Sequence, residues 1–176
     1  QNTVQRLLPL ISIEDLYVST HQHQAFETLQ QLDSFGFSPD HLLAEPCSKN
    51  TALAIGLMSI FLAEKNTDAI MTMFPADHVI SKPENFIKLI QKAGTLAQNN
   101  VIVTLGIRPR SPETGFGYLK QGSGLKNFED AYRVERFEEK PSFSKAKNFL
   151  EQGIYFWNCG IFISKATTIL EELKQH

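Results

Sequence analysis

The chain has 176 residues, is 42% hydrophobic and carries a formal net charge of −2. A chain of this length buries roughly 70% of the surface that its unfolded form exposes, enough for a sizeable core. Near-neutral charge excludes bulk attraction to nucleic acid or an anionic membrane, no apolar run reaches the ~20 residues that span a bilayer, and no signal peptide is visible.

From the amino end, Gln1 to Pro9 reads as the middle or end of a helix with no N-cap before it. Asp15–Ser19 predicts a short strand, His23–Leu32 a helix, Phe35–Pro39 a loop and Leu42–Glu45 a second strand. Asn50 or Thr51 can cap the next helix, which runs to Glu64. Its Leu53, Ile55, Leu57, Met58, Ile60, Phe61 and Leu62 make it apolar nearly all round, so deep burial is expected. Ala69–Phe74 is an almost wholly apolar strand, stopped by Pro75, which has no N–H for the ladder. A helix from Pro83 to Ala97 takes proline in its first turn, and Val101–Ile107 reads as another buried apolar strand.

The later part reads differently. Gly115, Gly117, Gly122 and Gly124 mark a turn-rich stretch, and Ala131–Glu138 alternates as an exposed antiparallel strand does. Ser142 or Ser144 can cap a helix over Lys145–Gln152, which Gly153 ends. Ile154–Trp157 and Gly160–Ile163 read as strands on either side of Asn158-Cys159, and Ala166–His176 as a helix with no stop signal. The 13 phenylalanines, with Phe61, Phe86, Phe149, Phe156 and Phe162 foremost, read as core. Together these elements predict an α/β fold, Rossmann-like, with a mixed, mostly parallel sheet and helices on both faces.

Asp77, just past the strand that ends at Phe74, is the most informative polar residue. In open α/β sheets ligands gather at the carboxyl ends of strands, and a hard oxygen there suits a magnesium ion with nucleotide phosphates. It reads equally well as the cap of a turn. Taken alone, Lys140 is a solvated lysine before Pro141, Glu139 one more charge beside Glu138, and Gly115 and Gly117 an ordinary turn. Asn158 alone reads as a bulge residue, and Asn50 and Thr51 as helix caps. Arg108 and Arg110 read as loop charges. Cys47 and Cys159 lack CxxC spacing or histidine neighbours, which argues against zinc and suits a reducing cytoplasm. The histidines show no metal-like spacing, and no GxGxxG or GxxxxGK[ST] follows a strand.

Five segments carry polar or glycine residues at strand ends: Glu45-Pro46-Cys47-Ser48-Lys49-Asn50-Thr51-Ala52, Pro75-Ala76-Asp77-His78, Glu113 to Tyr118, Phe137 to Pro141, and Trp157 to Gly160. In order and spacing they resemble the nucleotide-sugar pyrophosphorylases, and most closely the mannose-1-phosphate guanylyltransferases. The resemblance covers nearly the whole chain. It implies a nucleotide-diphospho-sugar transferase fold and an enzyme that joins mannose 1-phosphate to GTP, giving GDP-mannose and pyrophosphate. It implies Mg²⁺ held by Asp77, Lys140 on the sugar phosphate, and Glu139, Gly115, Gly117 and Asn158 around the sugar. Glu45, Asn50 and Thr51 would meet guanine. Phe116 stands where tyrosine is usual, Cys159 where serine is common, and Ser48-Lys49 where Gly-Arg is usual. The family's glycine-rich loop and second metal-binding aspartate are absent, so residues 1–176 are expected to form a single catalytic domain, truncated at both ends and inactive alone. A C-terminal mannose-6-phosphate isomerase domain and a homo-oligomer are compatible with the resemblance. The rival reading is a catalytically silent nucleotide-sugar-binding or regulatory subunit. A cytoplasmic protein with neither nucleic acid nor membrane as partner is expected.

Overall fold

A computed structural model of the chain describes residues 1–47 and 50–176. In chain order the elements are α1 (Asn2–Leu7), β1 (Val18–His21), α2 (Ala25–Leu32), β2 (Leu42–Glu45), α3 (Asn50–Lys65), β3 (Ile70–Met73), α4 (Pro83–Ala97), β4 (Val103–Ile107), β5 (Tyr118–Gly124), β6 (Tyr132–Glu138), α5 (Phe143–Gln152), β7 (Tyr155–Lys165) and α6 (Ala166–Gln175). This is a mixed α/β fold with parallel and antiparallel strand pairs. The chain divides into two compact units, Gln1–Val103 with Ile163–His176, and Thr104–Phe162.

In the first unit β1, α2 and β2 form a βαβ unit whose strands run parallel, from Val18 opposite Leu42 to His21 opposite Glu45. The strand expected at Asp15–Ser19 starts later, because the Ser12 hydroxyl accepts from the Glu14 N–H at 3.4 Å and winds Ile13–Asp15 into a 3₁₀ turn. Helix α4 has the predicted bounds, with proline in its first turn. It buries Phe86, Ile90, Ala93, Leu96 and Ala97, a stripe at helical spacing. The start of α6 is tied to the segment before β3: Ala166 N–H donates to the Ala69 carbonyl at 3.3 Å, and the Thr167 hydroxyl to that of Thr67 at 3.3 Å.

Two burial expectations fail here. Helix α3 is not deeply buried: Leu53, Leu57 and Ile60 are exposed. Its tightly packed line runs instead through small residues, with Ser59 fully buried and Gly56 against α6, where a Cβ would stand 2.9 Å from Leu173 Cδ1. A helix apolar all round gives no sign of which face its neighbour takes, and here the neighbour took the face that permits the closest approach. The strand expected over Val101–Ile107 begins only at Val103, and Val101, Ile102 and Ile107 are exposed.

In the second unit β5 lies between β6 and β7, antiparallel to both. Tyr118 sits opposite Glu138 on one side and Trp157 on the other. Strand β4 pairs with β7. The core is aromatic: Tyr118, Ala146, Phe149 and Tyr155 are buried with Trp157 packed on them. Phe149 stacks on Tyr155 at 3.9 Å between ring centres, and the Tyr118 hydroxyl donates to the Glu113 carbonyl at 2.9 Å. Helix α5 begins at the Ser142 cap, whose hydroxyl accepts from Lys145 N–H, and ends at Gly153 in the left-handed region, φ +67°.

Three expectations are corrected in this unit. The glycine-punctuated stretch contains a strand, β5, because Tyr118 and Leu119 are buried and its glycines fall at register shifts against β6. The segment 155–165 is one strand rather than two, since Gly160 absorbs an irregularity at φ +72° without ending the ladder. Phenylalanine is not uniformly core: across the chain Phe26, Phe116, Phe137 and Phe143 are exposed.

Candidate active site

The second unit gathers five of the residues singled out from the sequence. Asn158 N–H donates to the Gly117 carbonyl at 2.8 Å, and Lys140 N–H donates to the Phe116 carbonyl at 3.2 Å. The turn 115–117 therefore holds the backbone of both. At Gly117 a Cβ would lie 2.7 Å from Phe137 Cζ and 2.9 Å from Glu139 Oε2, so any side chain there displaces those two side-chain ends. At Gly115 a Cβ would meet nothing within 4 Å, so no neighbour demands glycine there.

Lys140 stands two residues past the end of β6 and carries φ +43°, a left-handed backbone that costs a non-glycine residue about 1 kcal/mol. Its ammonium is exposed and lies 3.7 Å from Glu139 Oε1. Glu138, the last residue of β6, and Glu139, just beyond it, take different roles. The Glu138 side chain is 17% exposed and bonds Lys145 Nζ at 2.8 Å and Arg136 Nη2 at 2.9 Å. The Lys145 ammonium, with Arg136 behind it, holds the Glu138 carboxyl below the usual carboxylate range. Glu139, 59% exposed, keeps its carboxylate available to a ligand.

Asn158 is oriented by its surroundings. Its Oδ1 accepts from Gly160 N–H at 3.2 Å and from the Thr104 hydroxyl at 3.1 Å, so the Nδ2 hydrogens are what it offers a ligand. Thr104, which also reaches the Ile161 carbonyl at 3.0 Å, was not singled out from the sequence. A hydroxyl alone in the run Val101–Ile107 was the available signal, since a partly buried hydroxyl needs a partner. Burial pushes the Cys159 thiol up, and its Sγ donates to the Leu105 carbonyl at 3.2 Å, both of which disfavour the thiolate.

The first unit carries the other candidates. Glu45 closes β2, and its Oε1 accepts from the Ser19 hydroxyl on β1 at 2.7 Å. Thr51 is exposed in the first turn of α3. Ser48, Lys49 and the Asn50 side chain lie outside the described residues. Asp77 sits in a turn beyond β3, exposed, with no hydrogen-bond or ion-pair partner for its carboxylate among the described residues. The carbonyls on either side of it are engaged: the Thr3 hydroxyl donates to Ala76 O at 2.9 Å, and Arg6 Nη2 donates to His78 O at 2.9 Å. Nothing in the sequence signalled these bonds, which join α1 to residues more than seventy positions away.

The nucleotidyl transferase family model matches residues 1–176. The chain belongs to that family. A Salmonella montevideo protein named mannose-1-phosphate guanylyltransferase is 36% identical over 178 residues, covering 99% of this chain and 37% of that protein. A Thermus thermophilus crystal structure, described as mannose-1-phosphate geranyltransferase, superposes with a TM-score of 0.85 at 32% identity. The match covers 99% of this chain and 49% of that one. A Helicobacter pylori structure described as mannose-6-phosphate isomerase also gives 0.85, at 31% identity over 99% of this chain and 64% of its own. This nucleotidyl transferase chain thus spans little more than a third of the length of the Salmonella relative.

Proposed function

We propose that the full-length protein transfers a guanylyl group from GTP to mannose 1-phosphate, giving GDP-mannose and pyrophosphate. The observation that carries the reading is the cluster of Gly117, Glu139, Lys140 and Asn158 in one unit, a set suited to a phosphorylated polyol. It is supported by the 36% identity to a protein named for that activity.

An oxygen of the sugar phosphate attacks the α-phosphorus of GTP in line, a P–O bond forms, and the bond to the β-phosphate breaks as pyrophosphate leaves. No covalent protein nucleophile is needed, so the protein's task is to position two anions and offset their charge. Lys140 supplies a compact cation to the phosphate of mannose 1-phosphate. Glu139 accepts hydrogen bonds from sugar hydroxyls, and Asn158 donates its Nδ2 hydrogens. With Oε1 taken by Ser19, Glu45 keeps Oε2 to accept from the guanine N1–H and amine, donors that adenine lacks as a pair. An acceptor that the bound base covers discriminates strongly when the wrong base leaves it unpaired. Asn50 and Thr51 contribute at the start of α3.

Asp77 is the metal ligand in this reading. Among the described residues no three His, Cys, Asp or Glu side chains gather. A lone exposed carboxylate fits Mg²⁺, which takes one or two protein carboxylates and completes its shell with water and phosphate oxygens. When bound, the ion would lessen repulsion between the two reacting anions.

Among the described residues no helix is long and apolar enough to cross a membrane. We place the reaction in the cytoplasm, where free thiols such as Cys47 and Cys159 persist. The likeness to a protein described as a mannose-6-phosphate isomerase supports a bifunctional full-length form. The test is a nucleotide panel with mannose 1-phosphate on the full-length protein, beside Asp77→Asn and Lys140→Ala. The expected result is GTP preference and at least about a hundredfold loss of turnover in either variant with folding intact. Near-normal turnover in either variant overturns that residue's role, and preference for another nucleotide overturns the guanylyl assignment.

A further inference from the structure

The segment between Phe74 and Lys82 has no regular structure, and Val79 within it is 94% exposed. A carboxylate on such a segment makes a poor ligand unless the backbone beside it is fixed, because ordering the loop then weakens binding. Helix α1 fixes it. Thr3 and Arg6 lie three apart and so share a helix face. Their side chains take the carbonyls immediately before and after Asp77, each at 2.9 Å. Arg6 is itself seated, its guanidinium carbon 6.0 Å from the centre of the Phe86 ring, which packs against Phe74 at 5.9 Å. The turn is thus held at both flanks and against the strand end it leaves. The carboxylate between them takes no partner of its own among the described residues.

We infer that Thr3 and Arg6 are positioning residues for Asp77: they lock the two carbonyls that flank it and so preset the carboxylate for a divalent cation. The inference rests on the metal role of Asp77 proposed above. Both side chains act through the backbone, so neither touches the ion. Locking Ala76 O and His78 O also withdraws those two oxygens from competing as ligands. The Arg6 charge, spent on a carbonyl rather than on Asp77, leaves the carboxylate's negative charge to the cation.

The test uses the full-length protein with Mn²⁺ as the probe, its dissociation constant measured with GTP present by electron paramagnetic resonance, together with backbone amide exchange over residues 76–80. Thr3→Val keeps the shape but removes the hydroxyl; Thr3→Ser restores it. Arg6→Met keeps the stem over Phe86 without the donor. The expected result is about a tenfold weaker Mn²⁺ affinity in Thr3→Val and in Arg6→Met, the usual scale for partners that orient a metal ligand, with recovery in Thr3→Ser. Amide exchange in the turn should accelerate in the same variants while thermal unfolding stays near that of the parent. Thr3→Val and Arg6→Met proteins that bind Mn²⁺ like the parent, while Asp77→Asn loses it, overturn the positioning role alone. An Asp77→Asn protein that binds Mn²⁺ as tightly as the parent overturns the metal assignment, and the positioning role falls with it.

Discussion

Replacing Gly117 by alanine separates what the fold needs from what the proposed chemistry needs. The added Cβ would stand 2.7 Å from Phe137 Cζ and 2.9 Å from Glu139 Oε2. Carbon contacts relax near ~3.5 Å, so each neighbour must retreat by roughly 0.5–1 Å. Both atoms are the free ends of exposed side chains, and Gly117 does not use the left-handed backbone. Overpacking should therefore cost only about 1 kcal/mol of stability, the lower end of its usual range. The functional cost is larger, because one retreating atom is the carboxylate oxygen proposed to accept from the sugar. A misplacement near 1 Å costs on the order of a hundredfold in rate. Steady-state kinetics on the full-length variant, beside a urea unfolding curve, should show kcat/KM for mannose 1-phosphate down about a hundredfold, with KM for GTP within about twofold. Normal sugar-phosphate kinetics would refute the place of Glu139 in the site. A stability loss beyond about 3 kcal/mol would refute the claim that its neighbours yield cheaply.

Three more outcomes are expected. The Phe116 ring meets Trp157 edge-on at 5.3 Å, and its carbonyl holds the Lys140 N–H, so Phe116→Ala should raise KM for mannose 1-phosphate about tenfold, with Phe116→Tyr restoring it. Because Trp157 is the chain's single tryptophan, its emission should shift in Phe116→Ala alone; an unchanged KM would remove Phe116 from the site. Phe149→Ala, which empties the centre of the second unit's aromatic core, should cost about 3–5 kcal/mol by urea unfolding, and a loss below about 1.5 kcal/mol would mean that core is not tightly packed. Glu138, whose folded carboxyl is lowered by Lys145 and then Arg136, stabilises the fold above its ordinary value of 4.5. That contribution is lost as pH falls through the lower folded value, and Lys145→Gln should flatten this acid-side slope in unfolding experiments run below pH ~5.

Much of this fold is legible in the chain because each segment carries its own punctuation. The bounds of α4 follow from Pro83 and the spacing of its apolar residues, and the end of α5 from Gly153; its start falls at Phe143, before the expected Lys145, because Ser142 rather than Ser144 takes the cap. The β1–α2–β2 unit follows from alternation of strand and helix signals. The failures lie where one-dimensional pattern carries no direction. Leu53, Leu57 and Ile60 are as apolar as their neighbours, and the choice of buried face was made by Gly56 and Ser59, whose smallness is only meaningful beside α6. Glycines at 117, 122 and 124 mark turns in isolation, yet two of them lie inside β5 and tolerate its irregular pairing with β6.

The candidate site divides along the same line. The groups proposed as ligands in each unit are readable from residue type at strand ends, because carboxylates, an ammonium and an amide each have a limited chemical repertoire. Beside them stand backbone carbonyls and side-chain donors: Gly117 O on Asn158, Phe116 O on Lys140 and Thr104 on the Asn158 amide in the second unit, and in the first Thr3 and Arg6 on the carbonyls around Asp77. A carbonyl is common to every residue, so sequence cannot mark the ones in use. Lys140 holds a left-handed backbone at a cost glycine would avoid. Glycine would relieve the strain and remove the ammonium. Its persistence there is expected only if the charge at that point is worth more to the protein than the relaxed turn, and Lys140→Gly should accordingly gain up to about 1 kcal/mol in unfolding free energy while losing turnover. A Lys140→Gly protein that stays fully active would show that the strained turn serves the fold alone.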